Sequence, residues 1–128
     1  MKIDVRTLPV ISDERGFLFE ILRNKELGKA PFGHLLLSVA HAGQSRGGHY
    51  HKKKHEWFCV IKGSADLKVV DILTGEERKI SMSETKRVLV KLYPYCRHTI
   101  TNVGKEDVYL LAYTDLPFDP NDPDTFYD

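Results

Sequence analysis

The sequence predicts an all-β fold, a single-domain sandwich or barrel of short strands. Apolar or alternating segments, about nine or ten of them, recur along the chain with turn signals every ~8–12 residues. No segment has the 3.6-residue period of an amphipathic helix. The 128 residues are enough for one domain with one core, and no internal repeat or low-complexity linker divides them. We therefore treat residues 1–128 as one domain.

Three strands are predicted in the first 40 residues. They are Lys2 to Leu8, Phe17 to Leu22 and His34 to Ala40. The first alternates apolar and polar residues, which is typical of a half-buried strand at a sheet edge. A polar turn precedes the second strand, and Asn24 to Gly28 after it is compatible with one helical turn. The third strand carries Leu35 to Leu37, which we expect in the core.

The rest of the chain contains seven more predicted strands. They are the segment with His49 and His51, Trp57 to Ile61, Ala65 to Val69, Glu77 to Met82, Arg87 to Leu92, His98 to Asn102, and Asp107 to Thr114. Thr74-Gly75 is a turn signal, so the strands on either side of it should form a hairpin. The tail from Leu116 to Asp128 has three prolines and four aspartates, and we expect it to be neither strand nor helix.

The stretch from Arg46 to Gly63 carries the residues that point to chemistry. His49 and His51 are two residues apart, so both side chains leave the same face of a strand. Glu56 precedes the next apolar strand, and His98 lies on a later one. Two imidazoles and a carboxylate on neighbouring strands predict a metal cluster, with His98 as its fourth member.

Imidazole nitrogens with a carboxylate suit a divalent ion such as zinc, nickel, iron or manganese. The interior of a barrel would turn all four side chains inward. Four protein ligands complete the tetrahedron of a structural site, whereas a catalytic ion needs an open position, and the spacing is compatible with both. The alternative is that the histidines are half-exposed strand residues and the glutamate is a solvated charge.

Further polar side chains lie on or beside the same strands. A phenol can act as a general acid and a histidine as a general base, which makes Tyr95 a candidate catalytic residue. Tyr113 is a candidate substrate contact, although tyrosine also favours strands for reasons of packing alone. Arg46, Lys91 and Arg97 could hold phosphate groups.

Composition excludes several classes of protein. An apolar fraction of 41% with 29% charged residues is typical of a globular domain, and a net charge of +1 gives no field that would attract nucleic acid. No apolar run approaches ~18 residues and the N-terminus has no apolar signal segment, so we expect no membrane span and a cytoplasmic protein. Two cysteines, Cys59 and Cys96, do not predict a disulfide framework.

Two spaced motifs resemble those of the cupins. Gly48 to His51, Glu56 and Gly63 have the spacing of the first cupin motif. His98 and Asn102 keep the spacing that ends the second motif, but the usual Pro-x-Gly in front of the histidine is missing. The resemblance implies a cupin fold, which is a double-stranded β-helix or jelly-roll barrel, and does not by itself imply a reaction.

A finer resemblance covers most of the chain, from Asp13 to Phe126. Arg46 to His51 is similar to the stretch that carries the base in nucleotide-sugar cupins, the dTDP-4-keto-6-deoxyhexose 3,5-epimerases and 3,4-ketoisomerases. Asp13 to Gly16 is similar to their N-terminal Asp-x-Arg-Gly. Asn102 to Gly104 and Phe118 to Thr125 resemble the C-terminal cupin domain of capsular polysaccharide reductase/epimerases. Residues 1–128 contain no stretch that resembles the reductase domain of that family, so we expect any reduction to fall to another protein.

This resemblance implies an epimerase or isomerase of a UDP- or dTDP-linked 4-keto sugar, in capsule or surface polysaccharide synthesis. It implies that His49 or His51 removes a proton beside the ketone, and that the protein is a homodimer with no organic cofactor. The capsular branch implies a bound zinc, whereas the 3,5-epimerases use the matching histidine as base without metal, so His49 is either a base or a ligand. The alternatives are a 3,4-ketoisomerase and a metal-containing cupin that binds a small molecule without catalysis.

Overall fold

The computed structural model describes residues 1–128 and contains eleven strands and one short helix. The strands are β1 (Ile3–Thr7), β2 (Ile11–Asp13), β3 (Gly16–Leu18), β4 (His34–Ala40), β5 (Ser45–His49), β6 (Glu56–Lys62), β7 (Ser64–Asp71), β8 (Glu77–Ser83), β9 (Val88–Leu92), β10 (Cys96–Asn102) and β11 (Val108–Thr114). The helix α1 (Asn24–Leu27) has only four residues, far fewer than a bilayer crossing needs.

Nine strands form two antiparallel sheets that pack against each other. The larger sheet has the order β1-β9-β6-β11-β4, and the smaller one has the order β5-β10-β7-β8. β2 and β3 form a separate hairpin. The all-β architecture predicted from the strand pattern is confirmed, and β1 lies at a sheet edge as predicted.

The core lies between the two sheets. Phe58 and Val60 of β6 pack there with Leu67 of β7, and all three are buried. Burial of each such side chain contributes about 1.5–3 kcal/mol to folding. Because side chains alternate along a strand, Trp57 and Cys59 point to the opposite face of the larger sheet. There they form a second cluster with Leu8, Leu89 and Tyr113, which we call the outer cluster.

Two predictions for the first 40 residues are wrong. The sequence predicts Leu35, Leu36 and Leu37 in the core, but their exposed fractions are 53%, 36% and 51%. β4 is the outermost strand of its sheet, so a neighbouring strand covers it on one side only. The predicted strand Phe17 to Leu22 is also shorter, because regular pairing ends at Leu18 and the segment that follows lies against the outer cluster.

Candidate functional site

Two glycines bring β5 close to β10. Gly47 and Gly48 have φ angles of +94° and +74°, a region that favours glycine. A Cβ atom added to Gly47 would lie 2.7 Å from the carbonyl oxygen of His98. The register shifts here, so that Thr99 faces Gly47 while His98 faces His49, which leaves Gly48 as the extra residue of a bulge. This bulge sets the two histidines directly opposite each other.

Three histidines meet beside the bulge. One ligand atom each from His49, His51 and His98 lie within 4.8 Å of one another. Glu56 Oε1 lies 2.7 Å from His51 Nε2 and 3.2 Å from His98 Nε2. His51, Glu56 and His98 are all buried. The structure therefore brings together the four residues predicted as metal ligands.

The second ring nitrogens of His51 and His98 face main-chain carbonyls. His51 Nδ1 lies 2.6 Å from the carbonyl oxygen of Asp124, and His98 Nδ1 lies 3.3 Å from that of Cys96. A carbonyl oxygen only accepts hydrogen bonds, so Nδ1 carries the proton in each neutral ring and Nε2 presents a lone pair. Two lone pairs and a carboxylate oxygen thus converge, which is favourable only with a cation or an extra proton among them.

Three buried atoms of this cluster have no aligned hydrogen-bond partner: His49 Nδ1, His51 Nε2 and Glu56 Oε1. The approach of His51 to Glu56 is as short as a hydrogen bond but lacks its alignment. Unpaired buried polar atoms are costly, and nitrogen donors with a carboxylate are the ligands that zinc and related ions prefer. The residues present therefore fit a divalent transition ion.

Burial sets the protonation of the cluster. Burial, with the neighbouring imidazoles of His98 and His51, lowers the pKa of His49 to about 4. Burial likewise lowers the pKa of His98. For Glu56 burial acts to raise the pKa, but the adjacent imidazoles of His51 and His98 outweigh it and the pKa is lowered. At neutral pH the imidazoles of His49 and His98 are therefore neutral and Glu56 is a carboxylate, the protonation states that metal ligation requires.

The cluster opens into a cavity of about 220 Å³ between the sheets. His49, Glu56 and His98 form its polar side, and Arg46 is the one cation in its lining. The remaining lining residues are Leu36, Ser38, Gly47, Phe58, Ile100, Leu110 and Ala112. The cavity is thus an apolar slot. His49, Glu56 and His98, with His51 behind them, form an acid–base cluster on one side of it, and the guanidinium of Arg46 lies in its wall.

Tyr95 is held by its backbone rather than by its phenol. Its φ is +65°, the conformation that glycine favours, and glycine is what the second cupin motif usually has at this position. Its N–H donates to the carbonyl of His51 at 2.7 Å, and its carbonyl accepts from Ile72 at 3.0 Å. The ring stacks on Tyr50, which points away from the flanking histidines. The structure does not bring the Tyr95 phenol into the lining of the cavity.

Lys91 and Tyr113, predicted as substrate contacts, lie on the outer face of the larger sheet. Lys91 Nζ is 5.2 Å from the ring centroid of Trp57. The Tyr113 hydroxyl accepts a hydrogen bond from the N–H of Gly33 at 2.7 Å, and the ring is buried in the outer cluster. Neither residue lines the cavity, because each directly follows an inward-facing residue, Val90 or Ala112, and so points to the opposite face of the sheet.

The two predicted arginines have different surroundings. Arg46 is exposed and lines the cavity. Arg97 is engaged by main-chain carbonyls, donating from Nη1 to Gly48 at 3.2 Å and to Tyr127 at 3.0 Å. Arg46 is therefore the predicted phosphate-binding cation that has a free approach to the cavity.

The tail from Leu116 to Asp128 contacts the site, and the sequence pattern does not predict this contact. Tyr50 and Phe126 form an isolated β-bridge with two hydrogen bonds of 3.0 Å. Asp124 is buried and contacts both His51 and the main chain of Lys52 to Lys54. An aspartate in a polar, proline-rich tail carries no periodic signal that would mark it as buried.

Several known proteins are similar to this chain in sequence or in fold. The family described as "Polysaccharide biosynthesis C-terminal domain" matches residues 11–126. A UDP-2-acetamido-2,6-beta-L-arabino-hexul-4-ose reductase of Pseudomonas aeruginosa is 40% identical over 119 residues, which are 93% of this chain and 31% of the reductase. The crystal structure of the capsular polysaccharide assembling protein CapF from Staphylococcus aureus matches with a TM-score of 0.73 and 26% identity, over 94% of this chain and 34% of CapF. The chain spans about a third of the length of each of these two proteins.

A dTDP sugar isomerase from Desulfovibrio desulfuricans matches the fold over a larger share of its length. The TM-score is 0.85 with 16% identity, over 97% of this chain and 82% of the isomerase. At this identity the likeness shows the fold alone. The predicted cupin fold is confirmed.

Proposed function

Because the chain belongs to the polysaccharide biosynthesis C-terminal domain family, we propose that it epimerises or isomerises a nucleotide-linked 4-keto sugar in capsule or surface polysaccharide synthesis. The reaction is the removal and return of a proton on a carbon beside the ketone. The Pseudomonas aeruginosa relative is named for a UDP-linked hexul-4-ose, which supports a substrate of this class.

The observation that carries the proposal is the position and protonation state of His49. This histidine lines the cavity, its buried Nδ1 has no partner, and its pKa is lowered to about 4 by burial and by the imidazoles around it. The ring is therefore neutral at pH 7 and free to accept a proton. A base with so low a pKa is weak, so the reaction also needs strong stabilisation of the enolate oxygen.

We assign the ligand role to His51, Glu56 and His98, since Glu56 Oε1 lies 2.7 Å from His51 Nε2 and 3.2 Å from His98 Nε2, and the base role to His49. The alternative is that His49 is a ligand, because its ring lies within reach of the same ion as those of His51 and His98. The three assigned ligands would hold a divalent transition ion, zinc in the first place. When bound, such an ion supplies positive charge that stabilises an enolate. A nitrogen that binds the ion has no lone pair left for a proton, so His49 cannot be both ligand and base through the same atom.

The cavity is large enough for only one part of the proposed substrate. A volume of about 220 Å³ is small beside the roughly 300–1,000 Å³ of pockets that enclose a whole ligand. The sugar ring would lie inside, against the apolar wall and His49. The diphosphate would lie at Arg46, whose guanidinium can bind phosphate oxygens in pairs, and the UDP or dTDP base would lie outside.

We propose that the protein acts as a cytoplasmic homodimer. β1 and β4 are edge strands, and an unpaired edge favours pairing with another chain. Cys59 and Cys96 are buried free thiols, which agrees with a reducing compartment.

The proposal is tested by exchange with solvent. The purified protein is incubated in deuterium oxide with a UDP- or dTDP-linked 4-keto sugar, and the product is analysed by mass spectrometry and NMR. Deuterium should enter a carbon beside the ketone. Migration of the ketone itself would identify a 3,4-ketoisomerase, and binding without exchange of any such sugar would favour the non-catalytic cupin.

A further inference from the structure

The carboxylate of Asp124 lies in a concave run of main-chain amides. Oδ1 accepts the N–H of Lys52 at 2.9 Å, and Oδ2 accepts those of Lys53 and Lys54 at 3.0 Å each. Three successive amides around one carboxylate form an anion-binding nest, and such charge-assisted hydrogen bonds are stronger than neutral ones. The tail is thereby fastened to the turn that directly follows His51.

The same residue reaches His51 through its main chain. The carbonyl oxygen of Asp124 lies 2.6 Å from His51 Nδ1, and both residues are buried. The φ of Asp124 is +50°, a left-handed conformation that aspartate and asparagine tolerate better than most side chains do. In this conformation the carboxylate and the carbonyl both face the segment that begins at His51.

We propose that Asp124 is a positioning residue for His51. Its carbonyl keeps a proton on Nδ1 of His51, which leaves Nε2, 2.7 Å from Glu56 Oε1, as the atom that would bind a metal or, without metal, an extra proton. The nest and the left-handed backbone hold that carbonyl in place. Partners of this kind fix the tautomer and the orientation of metal-binding histidines. The inference rests on the proposed metal site for one of its readouts, while the tautomer of His51 is measurable without metal.

Three substitutions separate the contributions of Asp124. Asp124→Asn keeps the tolerance of a left-handed backbone and one acceptor oxygen. Asp124→Gly keeps the left-handed backbone conformation but removes the carboxylate that the nest binds. Asp124→Ala removes the carboxylate and also disfavours the left-handed backbone. The matched control is Asp122→Asn in the same tail, which removes the charge that pairs with Lys53 Nζ at 2.5 Å, keeps an acceptor oxygen for the main-chain N–H of Asp124 and replaces no group that contacts His51.

The first readout is zinc affinity, measured by competition with a chromophoric chelator at pH 7. We expect the glycine and alanine variants of Asp124 to bind zinc about 10–100-fold more weakly, the range typical for loss of such a partner. The asparagine variant should show a smaller loss. Asp122→Asn should bind zinc as the wild type does.

The second readout is the tautomer of His51 in metal-free protein that carries Glu56→Gln, because without the carboxylate beside Nε2 the ring is not drawn to take a second proton. Nitrogen-15 NMR of the histidine rings distinguishes a protonated Nδ1 from a protonated Nε2, and His51→Gln identifies the signals. In this Glu56→Gln background we expect a single tautomer, protonated on Nδ1, both with Asp124 intact and with Asp122→Asn added. In Asp124→Gly both tautomers should be populated.

A folded Asp124→Gly protein with wild-type zinc affinity and a single His51 tautomer would overturn the inference. If that variant does not fold, the decision passes to Asp124→Asn, for which unchanged affinity together with an unchanged tautomer has the same meaning. A wild type without zinc affinity would remove the metal from the proposed function, and the tautomer measurement would then decide the role of Asp124. Absence of deuterium exchange affects neither readout.

Discussion

His49 and His98 face each other across β5 and β10, with ring centroids 4.7 Å apart and ring planes at 89°. The contact depends on register, since a slip of one residue would turn every side chain of β5 to the other face. The bulge at Gly47 and Gly48 sets that register. The acid–base cluster is therefore a product of backbone geometry as much as of its histidines.

Gly47→Ala should disrupt this pairing. The new Cβ would lie 2.7 Å from the His98 carbonyl, in addition to the strain of a positive φ. Gly75→Ala is the control, because Gly75 has a φ of +80° and open space around it. Strain alone costs about 1–2 kcal/mol, so Gly75→Ala should lose that much stability and Gly47→Ala more. Urea denaturation of both variants measures the difference, and equal losses would mean that the close approach to His98 has no role.

His51→Ala should lose the metal. Protein purified without added metal should contain a divalent transition ion at ~1 per chain by elemental analysis, since three or four protein ligands suffice to hold one. His55→Ala is the control, because His55 pairs with Asp115 at 2.9 Å and is not part of the cluster. A metal-free wild type with full exchange activity would contradict the ligand assignment.

His49→Asn should abolish deuterium exchange while the metal is retained. Removal of a general base typically costs about 10²–10⁴-fold in rate. Tyr95→Phe should exchange normally, because the Tyr95 ring stacks on Tyr50 and does not line the cavity. Loss of metal together with exchange in His49→Asn would instead make His49 a ligand, and undiminished exchange would exclude it from both roles.

The metal-free protein should lose stability as the pH falls from about 6.5 to about 4. Burial lowers the pKa of His49 from 6.5 to about 4, so in this range the unfolded chain takes up a proton that the folded chain does not. The contribution is complete above the unfolded pKa and is lost as the pH falls through the folded one. The lowered pKa of His98 acts in the same direction, whereas that of Glu56 matters only below 4.5.

Urea denaturation across this pH range measures the effect. His49→Asn should reduce the slope of the free energy of unfolding against pH, since asparagine does not titrate. An identical slope in wild type and variant would show that His49 titrates normally in the folded protein.

Light scattering should give a dimer mass, and Leu35→Lys should reduce it. Leu35 lies on the edge strand β4 with 53% of its surface exposed, so an added charge there opposes association with a second copy. Leu73→Lys is the control, because Leu73 is 72% exposed in the turn between β7 and β8. A monomeric wild type at micromolar concentration would contradict the dimer.

The strands were predictable where side-chain alternation and turn residues agree. His34 to Ala40 matches β4 at both ends, and the hairpin around Thr74-Gly75 is confirmed. The exposure of Leu35 to Leu37 was not predictable, because an apolar run looks the same on a central strand and on an edge strand. Which strand lies at the edge depends on topology that no local pattern encodes.

The shared face of His49 and His51 was predictable, because they are two residues apart. Their meeting with His98 also depends on the register that the bulge at Gly47 and Gly48 sets. Lys91 and Tyr113 lie outside the cavity, because the inward face of each strand depends on how the sheets close. Asp124 was missed because its burial follows from contacts with a segment some seventy residues earlier, at 70–73 positions' separation.

The pairing of β1 with β9 places a demand on biosynthesis. Ile3 lies opposite Leu92, so β1 cannot pair until β9 has been translated. The amides of the turn after His51 lack their carboxylate acceptor for longer, until Asp124 has been translated. Such distant pairings make folding slow, and unpaired strands at a half-made sheet are sites of aggregation. Until Leu92 and Asp124 have been made, β1 and the turn after His51 therefore lack the partners that cover them, and the nascent chain is exposed to aggregation during this interval.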